Sequence, residues 1–306
     1  MHAALELLGL LPLLLLSYLE ALARLLLPSR PKSVQGETVL VTGAGHGLGR
    51  ATALEFAQRC CCLVLWDVNQ HGIEETAAEC KRLGATVHTF VVDCSKREEI
   101  YRAAEKVKKE IGDISILVNN AGVITPADLL STQDHQIEQT FAVNILAHFW
   151  TTKAFLPTMM KNNHGHIVTV SSAAGHMPAS FMLSYWLFVI SFSSSKFAAV
   201  GFHKALTQEL SALGKDGIKT TCLCPIFINT GFVKNPKMRL MPILEPDMVA
   251  KKLLEGILIN QKMIFVPSSL NIFLFMEKIL PERALAALNK LQAIQFDKVV
   301  GYRNKE

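Results

Sequence analysis

The chain has no pair of cysteines at metal-ligand spacing. It has no basic run interleaved with aromatics, and no uncharged apolar stretch as long as a membrane span. Its cysteines, Cys60, Cys61, Cys62, Cys80, Cys94, Cys222 and Cys224, are seven in number and include no C-x2-C spacing. They read as buried, reduced thiols of a cytosol-facing domain, with no metal site among them. Acidic and basic residues are well mixed, and the net charge is only +5. That balance argues against a nucleic-acid partner and gives at most a weak attraction to an anionic membrane face.

Apolar residues are what the chain has in excess, at 50 % of 306 residues. Much of this sits at the start. Residues 3–27 read AALELLGLLPLLLLSYLEALARLLL, with an uncharged core from Leu7 to Leu19. That core is shorter than the roughly 20 residues a straight span needs, and Pro12 and Glu20 interrupt it. A cleaved signal peptide, a hairpin or interfacial anchor, and a core helix compete here. The missing basic leader weighs against the first, and the anchor is the favoured reading. Arg24, Arg30 and Lys32 follow the apolar run, which leaves the remainder in the cytosol. Residues 1–28 are therefore expected to be the anchor, 29–36 a linker broken by Pro31, 37–270 the main domain and 271–306 a helical tail.

From residue 37 onward, short β-rich runs alternate with helical stretches. Strands are expected at Thr38–Thr42, Leu63–Asp67, Val87–Val92, Ile114–Asn119, His166–Ser171, Ile218–Leu223 and Met263–Val266. Helical stretches such as Ser95–Glu110 and Ser131–Asn162 lie between them. The strands are continuous apolar runs, which means burial on both faces. The fold class is α/β: a doubly wound (Rossmann) parallel seven-stranded sheet with helices on both faces, plus the N-terminal hydrophobic anchor.

The first strand runs into Gly43-Ala44-Gly45-His46-Gly47-Leu48-Gly49 and then into a helical stretch. Glycines at such a turn let the backbone approach a pyrophosphate lying at the helix N-terminus. The second strand ends at Asp67. An acid there accepts hydrogen bonds from a free adenosine ribose and repels a 2′-phosphate, so NAD is expected over NADP. His46 sits beside Gly47, where a basic group could help a phosphate, so the preference is not absolute.

With these residues in hand, the chain resembles the short-chain dehydrogenase/reductase family over about residues 36–270. Thr42 to Gly49 matches that family's glycine loop, and Asn119-Asn120-Ala121-Gly122 its N-N-A-G motif. Asp93 fits the adenine-contacting acid, Asn144 the catalytic asparagine and Ser172 the catalytic serine. Pro225 to Thr230 resembles the P-G-x3-T stretch with Ile226 in place of glycine. The resemblance implies that Thr230 and the backbone near Ile228 hold the nicotinamide carboxamide. The leucine-rich N-terminus and Cys222-Leu223-Cys224-Pro225 are similar to the 17β-hydroxysteroid dehydrogenase branch of the family. That likeness implies a 17β-hydroxysteroid or retinol-like alcohol as substrate, endoplasmic-reticulum and lipid-droplet residence, and a homodimer.

The resemblance also implies the chemistry. A free tyrosine titrates near ~10, and a neighbouring lysine ammonium lowers that value enough for the phenolate to act as a base. Ser172 would hold the substrate oxygen, and Asn144 would anchor a water that relays protons to the lysine. The sequence departs from the family pattern at this point. Tyrosine and lysine normally stand four apart on one helix face, yet Phe192 stands four before Lys196, and Tyr185 stands 11 before it. On a continuous helix that separates them by about 16 Å. Removing Trp186 to Phe192 would restore the spacing, so Tyr185 reads as the catalytic tyrosine followed by an insert. Either the insert bulges and Tyr185 still meets Lys196, or the helix starts near Phe192. The second is easier for the backbone and implies reduced activity, or a silent NAD-binding protein on a lipid surface. Beyond Thr230, Phe232, Met238, Leu240, Met241 and Ile243 are expected to line an apolar substrate pocket. Residues 270–280 are expected to pack on the core or to touch the membrane.

Overall fold

The computed structural model describes residues 10–20, 22, 30–59, 61–124, 129–177, 190–231, 233–234, 237–238, 242–291, 294–295 and 298–299. The chain divides into two units, Met1–Ser33 and Val34–Glu306. In the first, residues 10–20 are helical, and Leu10, Leu11, Leu13, Leu14, Leu15, Leu16 and Leu19 are exposed. No helix among the described residues is long and apolar enough to cross a membrane.

The second unit is built on a seven-stranded sheet. Its strands are β1 (Thr38–Thr42), β2 (Cys62–Asp67), β3 (Thr86–Val91), β4 (Ile116–Asn119), β5 (Gly165–Val170), β6 (Ile218–Pro225) and β7 (Met263–Val266). They lie in the order 3-2-1-4-5-6-7, and every pairing is parallel. The expected strands Thr38–Thr42 and Met263–Val266 match residue for residue. The others differ by one or two residues at one or both ends.

Alternation along the strands separates two cores. Val39, Val41, Leu63, Leu65 and Val118 pack with helices α1 (Gly47–Ala57), α2 (Gln70–Arg82) and α7 (Pro246–Leu258). Leu40, Val64, Trp66, Leu117 and Ile167 face the other way. They pack with α3 (Arg97–Glu110), α5 (Ala147–Asn162) and α6 (Ile190–Ala212). This double coverage is why the strands read as unbroken apolar runs. Between β4 and α5, α4 (Asp134–Phe141) continues through a π-helical turn, Ala142–Leu146. Single π turns recur at functional sites, and Asn144 sits in this one.

After β7 come α8 (Leu270–Ile279) and α9 (Glu282–Leu291). Beyond α9, Ile294–Gln295 pairs antiparallel with Lys237–Met238, and Lys298–Val299 pairs with Val233–Lys234. The sheet order reverses between β1 and β4, so their carboxyl ends open the crevice where doubly wound folds bind ligands.

Candidate active site

The glycine loop closes that crevice. Gly43 has φ +67 and Gly47 φ +49, a region that favours glycine. A Cβ on Gly49 would overlap the Gly43 carbonyl oxygen, and one on Gly47 would lie 2.9 Å from the Thr230 side chain. His46 begins α1 with no side-chain cap, so the helix's first amides are left for an anion. Leu48 is buried and anchors the turn to the core, while His46 is exposed. A shaped cradle with uncapped helix amides fits a dinucleotide pyrophosphate.

Asp67 ties this loop to β2. Its carboxylate accepts from the Gly45 N–H at 2.8 Å and the Asn69 N–H at 2.9 Å. A Cβ on Gly45 would reach 3.1 Å from that carboxylate, so glycine is what allows the approach. Asp93 likewise accepts from the Ser95 N–H and hydroxyl at 2.9 and 2.7 Å, with Lys96 3.5 Å away.

On the β4 side, the Thr42 hydroxyl is a hub that sequence reasoning passed over. Its oxygen accepts from the Asn120 and Ala121 N–H groups at 3.0 Å each. The Asn120 amide donates back to the Thr42 carbonyl at 2.9 Å and the Gly43 carbonyl at 3.2 Å. The Asn120-Ala121-Gly122 motif thereby fixes the end of β1. On the far side, the Thr230 N–H donates to the Ile228 carbonyl at 2.9 Å, and Ile228 bridges to Leu244.

Lys196 lies in α6, 4 % exposed, and its ammonium donates to the Val170 carbonyl at 3.0 Å. A Cβ on Gly122 would lie 3.8 Å from Lys196 Nζ and 3.5 Å from Asn144 Oδ1. The N-N-A-G motif, Asn144 and Lys196 thus converge. Burial lowers the Lys196 pKa to about 8, with Cys222 and Cys224 acting against it. Asn144 is fully engaged: its oxygen accepts from the Val123 N–H at 2.8 Å. Its amide donates to the Val123 carbonyl and the Ser195 hydroxyl, each at 3.0 Å. Ser172, at the exit of β5, accepts from the Ala174 N–H at 3.1 Å and donates to the Pro225 carbonyl at 3.4 Å. The neighbouring Ser171 hydroxyl donates to the Lys196 carbonyl at 2.9 Å.

Phe192 is helical, and its ring centroid lies 5.6 Å from Lys196 Nζ. The described part of α6 begins at Ile190, so the helix does include Phe192. Tyr185 and the insert residues Trp186 to Val189 lie outside the described residues. So do Phe232, Leu240 and Met241 of the expected pocket, and Cys60. The other six cysteines are free thiols. Sequence reasoning also missed His148, which stands one turn after Asn144 and is 1 % exposed. Its i+4 spacing from the expected asparagine was the available signal.

Comparison with known proteins agrees with this geometry. The short chain dehydrogenase family profile matches residues 37–239. Estradiol 17-beta-dehydrogenase 11 of Pongo abelii is 63 % identical over 305 residues, covering 100 % of this chain and 99 % of that protein. The 17-beta-hydroxysteroid dehydrogenase 13 of Homo sapiens is 61 % identical over the same shares. Among solved structures, a short chain dehydrogenase/reductase from Burkholderia phymatum in complex with NAD superposes with a TM-score of 0.71. It is 24 % identical and covers 80 % of this chain and 94 % of its own. The chain belongs to the short chain dehydrogenase family and is an oxidoreductase of the alcohol–ketone kind.

Proposed function

We propose that the chain is an NAD-dependent dehydrogenase that interconverts a lipophilic secondary alcohol, a 17β-hydroxysteroid or a similar molecule, with its ketone. The convergence of Lys196, Asn144 and Gly122 beside the glycine cradle carries this reading. The names of the full-length relatives supply the substrate class. Asp67 favours a free adenosine ribose over a 2′-phosphate. Asp93 would contact the adenine. Lys196, Thr230 and the Ile228 backbone would hold the nicotinamide end.

The cofactor, when bound, takes the hydride from the carbinol carbon. The chain's own residues handle the proton. Ser172 holds the alcohol oxygen. Tyr185 takes the hydroxyl proton as a phenolate kept accessible by the Lys196 ammonium. Asn144 locks the Val123 segment and Ser195 around that lysine. Phe192 stands where the family's spacing puts the tyrosine, so this reading requires Tyr185 to meet Lys196 across the insert. End-to-end similarity to proteins named as dehydrogenases favours an active enzyme over a silent NAD-binding one. The test is turnover of a 17β-hydroxysteroid with NAD and its loss in Tyr185→Phe.

The enzyme works, in this proposal, on the endoplasmic-reticulum and lipid-droplet surface with its catalytic domain in the cytosol. The exposed leucines of residues 10–20 support an interfacial anchor. Ile272, Phe275 and Ile279 of α8, 58–68 % exposed, support a second contact. The exposed apolar side chains of Leu146, of Phe149 in α5 and of Ile190 and Phe197 in α6 support a homodimer. Detergent-free release of the full chain into the soluble fraction would overturn the membrane assignment. A monomeric mass in detergent would overturn the dimer.

A further inference from the structure

Behind Lys196, polar atoms gather with nothing to bond. Among the described residues, neither ring nitrogen of His148 has a hydrogen-bond partner, and the same holds for Asn119 Nδ2, Thr152 Oγ1 and Thr169 Oγ1. All four residues are at most 4 % exposed. They lie together. Asn119 and Thr169 are register partners on β4 and β5, on the sheet face that packs against α5. Thr151 donates to Asn119 Oδ1 at 2.7 Å, which seats α5 on this spot. His148 and Thr152 are four apart on that helix, so they share a face. Buried polar groups are almost always hydrogen-bonded, by protein or by ordered water. Side chains of this kind, gathered where α5 meets β4 and β5, would supply the two to four partners that a buried water needs.

The seam adjoins the catalytic lysine. Its ammonium donates to the carbonyl of Val170, next to Thr169, and Asn144, one turn before His148, donates to Ser195, next to Lys196. Burial, with the Lys196 charge adding to it, lowers the His148 imidazole pKa to about 3. His148 is therefore neutral at physiological pH, with one donor and one acceptor nitrogen. Lys196 has three N–H donors, of which the Val170 carbonyl takes one. Among the described residues the other titratable groups acting on Lys196 are the thiols Cys222 and Cys224 of β6, and in the proposed mechanism the Tyr185 phenol faces it as well.

We propose that a cluster of buried water fills the seam between α5 and β4–β5, and that His148 accepts from it as a positioning residue that supports the Lys196 ammonium. The cluster lies on the protein side of the lysine, away from substrate and cofactor. His148 acts on the reaction only through Lys196.

A high-resolution crystal structure of the full chain in detergent tests the site directly. The expected result is ordered water within hydrogen-bonding distance of a His148 nitrogen; ring nitrogens packed only against carbon atoms would overturn the proposal. Fluorescence titration of NADH against pH then tests the positioning role, on the reading that Lys196 holds the nicotinamide ribose. Wild-type affinity is expected to fall as pH rises through about 8. In His148→Phe the fall should move about one unit lower, a tenfold loss of proton affinity at Lys196. His148→Gln, which keeps a donor and an acceptor, should titrate like wild type. Identical profiles for wild type and His148→Phe would overturn the role. If no form binds NADH at any pH, the cofactor assignment fails instead, and the crystallographic water still decides this proposal.

Discussion

Replacing Asp67 with alanine separates two duties that meet in one carboxylate. The first is structural. The Gly45 and Asn69 N–H groups donate to it at 2.8 and 2.9 Å. Bonds to a charged acceptor are worth about 1.5–3 kcal/mol each when buried. Asp67 is half-exposed, so water replaces much of that. The expected loss of stability is about 1–2 kcal/mol. The second duty is cofactor choice. Losing charge-assisted bonds to the ribose should weaken NADH about 10- to 100-fold. Removing repulsion against a phosphate about 5 Å away should strengthen NADPH by about 1–3 kcal/mol. Parallel fluorescence titrations of both nucleotides, with thermal unfolding as the control, read all three effects. An NADH affinity unchanged in a variant that still unfolds cooperatively would refute the ribose assignment and leave Asp67 as a loop clamp only.

Other expectations follow from the same geometry. Gly49→Val forces a side chain into the Gly43 carbonyl; it should abolish NADH binding and lower the melting temperature, as titration and calorimetry would report. Lys196→Met removes a buried charge whose pKa is lowered to about 8. Wild-type stability should therefore rise with pH from about 8 towards the unfolded value near ~10.5. The variant should lose that dependence, match or exceed wild-type stability at pH 7, and lose turnover by at least about a hundredfold. His148 has its pKa lowered from 6.5 to about 3, chiefly by burial. Only the unfolded chain takes up that proton below pH 6.5, so stability should fall by about 1.4 kcal/mol per pH unit towards pH 3. His176 and His203, each lowered to about 4, add to the slope. Melting temperatures from pH 7 to pH 4 would show it, and a shallower slope is expected in His148→Phe.

Much of this site is legible in the chain because its parts are local. The glycine loop announces itself by spacing, and it sits between β1 and α1 as its residues dictate. Strand identity is readable because double burial leaves unbroken apolar runs. Strand ends are less so: β6 continues through Cys224 and Pro225 because pairing with β7 carries it on. That partner lies about forty residues away in sequence. The roles of Thr42 and His148 were not legible for the same reason. Thr42 matters through β4, whose contact depends on the strand order. His148 looks like an ordinary helical histidine until α5 is laid against β4 and β5. The π turn at Asn144 is likewise invisible in composition, because only packing fixes its hydrogen-bond ladder.

The most direct test is NAD-dependent oxidation of a 17β-hydroxysteroid by the full chain, purified in detergent and shown to bind NADH. It should run beside Tyr185→Phe and a variant lacking Trp186 to Phe192. The full chain is expected to turn over and Tyr185→Phe is not, because Tyr185 meets Lys196 despite the insert. A silent full chain beside an active deletion variant would contradict it: the insert would then have parted the tyrosine from its lysine, with Phe192 standing in its place.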